Sequence, residues 1–103
     1  MRKAKVYVNN VYAGILLELE YNKKYAFKYI KQYNGPPVSL TMPIQQKEYE
    51  YTSFPPFFEG LLPEGIMLDA LCRTQKTDKK DFFGQLLIVG NDVVGTTTIE
   101  KIS

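Results

Sequence analysis

The sequence predicts an α+β domain: a small, twisted, mainly antiparallel sheet of four to six strands with two or three short helices. Three observations predict it. β-rich runs broken by turn residues occupy the first thirty positions, and helix signals are confined to residues 63–90. A β-branched run, Thr96-Thr97-Thr98-Ile99-Glu100, then returns to pair in the sheet begun by the N-terminus. The 103 residues make a single domain, taken as 1–103, with no repeat, linker or low-complexity segment to divide it.

Lys5 to Val8 and Val11 to Glu20 form a hairpin around Asn9-Asn10, because asparagine tolerates the left-handed conformation that a two-residue primed turn requires. In the second arm Leu17 and Leu19 alternate with Glu18 and Glu20, which directs the leucines to the core and the acids to water. Gly14 marks a bulge. Tyr21, Tyr25, Tyr29 and Tyr33 recur every four residues, a spacing that suits a helical stripe. Tyr25, Phe27 and Tyr29 also alternate with Ala26 and Lys28, and a strand over 25–29 is the expectation. Asn34-Gly35-Pro36-Pro37 turns the chain, and Val38 to Met42 then makes a short extended run stopped by Pro43, at a strand end or a sheet edge.

Between Tyr49 and Phe58 the rings of Tyr49, Tyr51, Phe54, Phe57 and Phe58 surround Pro55-Pro56. This stiff segment buries its rings or presents them, and burial is the plainer expectation. Pro63 in a first turn, Glu64 near the positive helix end and the apolar set Ile66, Met67, Ala70 and Leu71 predict a helix to about Thr74. Cys72 sits on it as an inert small hydrophobe. Thr74 to Lys80 is a polar loop whose lysines form a solvated face. Asp81 caps a second helix whose apolar positions are Phe82, Phe83, Leu86, Leu87 and Val89, ended by Gly90 in the left-handed C-terminal position. Gly84 weakens that helix by about 1 kcal/mol relative to alanine. Val93-Val94-Gly95 lead into the last strand.

Composition closes many function classes. A hydrophobic fraction of 45% with 23% charged residues fits neither a disordered tail nor a membrane span. A net charge of +2 is too small to make direct nucleic-acid binding the expectation. The single cysteine permits no intramolecular disulfide, and no apolar run follows the basic start, so a reducing cytoplasm is the expected location. Histidine is absent, which removes the commonest general base and metal ligand together with every Ser-His or Cys-His nucleophile. No metal and no cofactor are expected. Asp78, Asp81 and Asp92 leave a carboxylate enzyme as the remaining catalytic alternative, which requires one of them to line a pocket with a raised pKa. Gly60 and Gly65 have the spacing of a phosphate loop, yet Ile66 and Met67 stand where Lys and Ser/Thr must be. The chain is not expected to be an enzyme.

Several motifs together resemble the N-terminal subdomain of the HipA-like serine/threonine kinases of bacterial toxin–antitoxin systems, nearly end to end. That family opens with Asn-Gly-x-x-Val-Gly-x-Leu, here Asn9-Asn10-Val11-Tyr12-Ala13-Gly14-Ile15-Leu16. Its Phe-x-Tyr strand is similar to Phe27-Lys28-Tyr29, with Tyr33 where a Trp is common, and its Pro-Leu-Ser-Leu-Ser-Leu-Pro run to Pro37 through Pro43. Most specific is the signature Pro-Phe-Phe-x-Gly-Leu-Leu-Pro-Glu-Gly, matched without exception at Pro56 through Gly65. A C-terminal element matches at Asp81, Phe83, Leu86, Gly90, Asp92 and Gly95, where Gln85 replaces a family leucine.

None of the kinase chemistry is expected, because the sequence has no His-Arg-Asp loop and Asp81-Phe82 is followed by Phe83 rather than Gly. A free-standing copy ending at Ser103 resembles the small HipS-type proteins of three-gene HipBST systems. The resemblance implies an antitoxin that binds and inhibits a HipT-like kinase toxin, docking on its N-lobe side and blocking a productive active site. It also implies a helix-turn-helix, HipB-like DNA-binding protein in a larger complex. The partner-binding candidates are Phe57, Phe58, Leu61, Leu62, Glu64, Ile66 and Met67. Phe57, Phe58, Leu61 and Leu62 double as core anchors of their loop, whereas Ile66 and Met67 form an apolar wedge on the first turn of the following helix. The alternative is a non-catalytic structural subunit that completes or stabilises the kinase.

Overall fold

The N-terminal hairpin forms where the asparagine pair requires it. β1 (Lys3–Val8) and β2 (Val11–Glu20) are joined by Asn9 and Asn10, whose φ angles of 51° and 66° are both left-handed. The computed structural model describes residues 1–92 and 95–102. β3 (Lys24–Tyr29) pairs with β2, and β4 (Glu48–Tyr51) pairs with β3. Three helices follow: α1 (Pro56–Glu59), α2 (Gly65–Gln75) and α3 (Phe82–Val89). β5 (Thr97–Lys101) closes the sheet against β1. All pairings are antiparallel and the strand order is β4-β3-β2-β1-β5, so the α+β expectation holds with five strands and three short helices.

The inner sheet face carries Ala4, Val6, Leu16, Tyr25, Phe27 and Ile99, covered by Phe54, Phe58, Phe83 and Leu86 from the helical half. Rings interlock there: Tyr25 meets Phe54 edge-on at 5.2 Å, and Phe27 lies 5.9 Å from Phe58.

In β2 the leucine expectation is reversed. Leu16 is fully buried, Leu17 is half-buried on the other face and Leu19 is exposed, while Glu18 lies inside at 3% exposure. Because Ile15-Leu16-Leu17 is apolar on both parities, alternation alone did not select the face. Arg2 makes the inward carboxylate tolerable by donating Nε to Glu18 Oε1 at 2.6 Å and Nη2 to Oε2 at 2.7 Å. Leu19 is an extra residue between Glu18, opposite Tyr25, and Glu20, opposite Lys24, so a bulge turns it outward. The bulge read at Gly14 is present one residue earlier: Gly14 opposes Val6 and Tyr12 opposes Tyr7, leaving Ala13 over.

The extended run predicted at Val38 to Met42 is instead a pair of tight turns. The Tyr29 hydroxyl accepts from Val38 N at 2.8 Å and donates to Met42 O at 2.6 Å, while Met42 N donates to Ser39 O. One buried hydroxyl therefore bridges the two ends of the segment and folds it back. The edge strand forms later, at β4, in the segment read only as ring-rich.

Asp81 caps α3 as predicted, accepting from Gly84 N at 3.2 Å. Gly90 is not left-handed: its φ is −54°. Its role is close approach, since a Cβ there would stand 2.5 Å from Ile99 Cβ and 2.6 Å from Ile99 O. Ile99 N in turn donates to Gly90 O at 3.0 Å, which ties the end of α3 to the outer edge of β5. Gln85, where the family places a leucine, is buried with Nε2 bonded to Asp78 O and Lys79 O. The Val93-Val94 lead-in lies outside the described residues.

Candidate functional site

The signature segment is built from an anchor and a projecting helix. Pro55 is buried and sets the entry of α1, and Glu59 N and Gly60 N return to the carbonyls of Pro55 and Pro56 at 3.0 Å. Phe58 is completely buried against Phe27 and Phe57, so among the predicted contact residues it belongs to the core. Leu61 N and Leu62 N continue the coil by bonding to Phe58 O and Glu59 O at 3.1 Å. Phe57, Leu61 and Leu62 are half-buried, packed on the core by one side only.

Glu64 is extended at φ −130°, and Gly65 opens α2 at φ +57° with nothing within 4 Å of where a Cβ would be. The Pro-Glu-Gly end of the signature thus demands glycine for its backbone angle rather than for space. The turn swings α2 away from the sheet. None of its residues is buried: Ile66 is 83% and Met67 69% exposed, and even Leu68, Ala70, Leu71 and Cys72 are only half-covered. The helix starts at Gly65, so Pro63 lies before it rather than in its first turn as predicted, because the extended Glu64 caps it. It runs to Gln75, close to the predicted end, with Lys76 left-handed at φ 54° and its N–H on Cys72 O. An exposed ion pair, Lys79 to Asp69 at 2.5 Å, ties the following loop back to it.

Leu61, Leu62, Pro63, Glu64 and Met67 line an apolar groove of about 420 Å³, closed by Val89 at the end of α3 and by Asp92. The sequence reading did not name Val89, Pro63 or Asp92 among the partner contacts, and gave Asp92 as a catalytic alternative and as a residue of the C-terminal element. The available signals were the Pro56–Gly65 signature, which contains Pro63, and the C-terminal element from Asp81 to Gly95, which spans α3 and contains Val89 and Asp92. A separate cleft of about 340 Å³ lies between the Asn9 turn and the 30–36 loop, lined by Val8, Val11, Ile30, Tyr33 and Pro36 among others. No predicted contact residue reaches it.

The charged centre of the fold serves structure. Arg2 spans Glu18 and Asp81, donating Nη1 and Nη2 to Asp81 at 3.0 and 2.8 Å, with its guanidinium over the rings of Tyr21 and Phe83. These bonds hold the Asp81 carboxyl below the usual carboxylate range and raise the Arg2 pKa further. A general acid needs the opposite shift, so Asp81 does not meet the requirement set for a carboxylate enzyme. Asp78 Oδ1 is taken by Lys80 N at 2.8 Å. Among the described residues no group of His, Cys, Asp and Glu could hold a metal ion, and no helix is long and apolar enough to cross a membrane.

Residues 4–100 match the family model described as the HipA N-terminal domain. The chain belongs to the HipA N-terminal domain family. It is 31% identical over 101 residues to an uncharacterized protein of Haemophilus influenzae, covering 98% of this chain and 93% of that one. A solved structure described as the N-terminal domain of HipA toxin superposes with a TM-score of 0.80 at 30% identity, covering 100% of this chain and 94% of that chain. Within the HipA N-terminal domain family, this chain keeps the Pro56–Gly65 signature as the hinge between the core and α2.

Proposed function

We propose that this chain is an antitoxin that binds and inhibits a HipT-like serine/threonine kinase toxin, working without chemistry of its own. The exposed pair Ile66 and Met67 on the first turn of an otherwise unburied helix carries the reading. A preformed helix presents both side chains with its backbone already ordered, which lowers the cost of docking and makes them efficient anchors. The HipA N-terminal domain fold supports the choice of partner, since this chain has the shape of a piece the HipA toxin carries. Docked on the N-lobe side, α2 would extend towards the nucleotide cleft and keep the lobes from closing, which stops phosphate transfer.

Co-expression with a HipA-type kinase lacking this domain tests the proposal. Wild-type chain relieves the growth arrest, and Ile66→Asp with Met67→Asp loses the relief while keeping its thermal unfolding temperature. Full relief by that double variant removes α2 from the mechanism.

The second reading, a structural subunit that completes the kinase and its complex with a HipB-like DNA-binding protein, draws on the outer sheet face. Ile15 and Leu17 are only half-covered there and stand outside the core cluster and the side chains packed on it, among the described residues. Under that reading the same co-expression leaves growth arrest unchanged or deepens it.

A further inference from the structure

The groove beside Met67 has a chemistry that goes beyond its shape. Its walls are Leu61, Leu62, Pro63, Met67 and Val89, and the charged side chains lining it are Glu64 and Asp92, both exposed. Glu59 and Glu64 line the adjoining depression with Pro56 and Gly60. No Lys or Arg lines either hollow, and none of the three carboxylates is ion-paired among the described residues. A chain of net charge +2 therefore presents a locally acidic rim around an apolar trough. Such a rim repels phosphate backbones and acidic peptides, and attracts cations across roughly 8 Å at physiological salt.

We infer that the groove receives a basic amphipathic segment of the kinase, one large apolar side chain seated between Leu62 and Met67 and flanking Lys or Arg side chains paired with Glu64 and Asp92. The inference rests on the proposed kinase docking and names what the partner brings to it. A trough of about 420 Å³ is the size of an ordinary side-chain or small-ligand pocket. Exposed acid–base pairs at its rim speed and orient the encounter, while the apolar anchor sets the lifetime of the complex.

Two measurements on the 103-residue chain test it. Kinase binding is titrated calorimetrically from 50 to 500 mM NaCl for wild type, for Glu64→Gln with Asp92→Asn, and for Glu64→Lys with Asp92→Lys. The neutral pair serves as control because a lysine at position 64 also sits unfavourably at the start of α2. Charge reversal is expected to weaken binding roughly 10-fold at 50 mM and about 2-fold at 500 mM, with the neutral variant between. In parallel, a photo-crosslinking phenylalanine at position 67 is expected to capture a kinase peptide with Lys or Arg flanking an apolar residue.

Salt-independent binding that both rim variants leave unchanged overturns the inference, as does capture of an acidic kinase segment or of a second copy of this chain. If those results accompany loss of binding by Met67→Asp, the docking proposal stands and the basic segment alone is wrong. Absence of any complex with the wild-type chain overturns both.

Discussion

Replacing Arg2 by methionine keeps the length and packing of the side chain but removes its charge. Four hydrogen bonds disappear, two to Glu18 and two to Asp81, and the Glu18 carboxylate remains 3% exposed with only Asn22 N at 3.1 Å as a further donor. Breaking a buried ion pair costs about 3–5 kcal/mol, because the surviving charge has lost its counter-ion. The Arg2 side chain is itself 28% exposed, so water reaches the vacated site and the lower end applies. About 3 kcal/mol corresponds to a fall in Tm of roughly 12–20 °C for a domain of this size.

The assay is thermal unfolding followed by near-ultraviolet circular dichroism, with urea unfolding at 25 °C as an independent measure. The decisive comparison adds Glu18→Leu to Arg2→Met. With no carboxylate left to strand, the double variant should recover most of the loss, and the coupling between the sites should be strongly non-additive. A fall in Tm under about 3 °C for Arg2→Met refutes the argument, as does a double variant whose loss is the sum of the single losses.

Three further outcomes are expected. Gly90→Ala, which a helical φ would ordinarily favour, should destabilise by about 1–3 kcal/mol in urea unfolding, because the new methyl meets both the side chain and the carbonyl of Ile99. Gln85→Leu restores the family residue yet strips two carbonyls of the 78–79 turn of their donor, so limited proteolysis should cut the 76–80 loop faster, with a loss of about 1 kcal/mol. Burial raises the phenol pKa of Tyr25 and Tyr29, so their contribution is intact below the free tyrosine pKa near 10 and declines as pH rises towards the folded value, whereas the depressed Asp81 carboxyl acts at the acid end. Tm measured against pH should therefore fall above pH 10, and Asp81→Asn should lose its disadvantage against wild type as pH drops below about 4.

Local chemistry was legible wherever one residue settles one backbone state. Asn9-Asn10 declared a primed turn, Asp81 declared a cap, the strand at Tyr25 to Tyr29 declared its alternation, and the end of α2 and the start of α3 fell close to where their terminal residues put them. The unbroken Pro56–Gly65 motif carried the family resemblance at the level of sequence, and the family match spans residues 4–100. Among the contact candidates, sequence alone separated the wedge of Ile66 and Met67 from the anchors around Phe58, and the observed burial follows the same division.

What remained required contacts between distant positions. Ile15-Leu16-Leu17 offers the core an apolar side chain on either face, and the inward turn of Glu18 depends on an arginine that also reaches an aspartate 79 positions away. The run from Val38 to Met42 has strand-like residues, yet a tyrosine hydroxyl from β3 folds it into turns. Gly90 reads as a left-handed stop, and only the neighbouring β5 makes it a site of close approach. The acidic groove likewise joins the α1–α2 hinge to the end of α3. Backbone preference is set within a few residues of a position and can be read there, whereas burial and charge pairing depend on what the rest of the chain brings alongside.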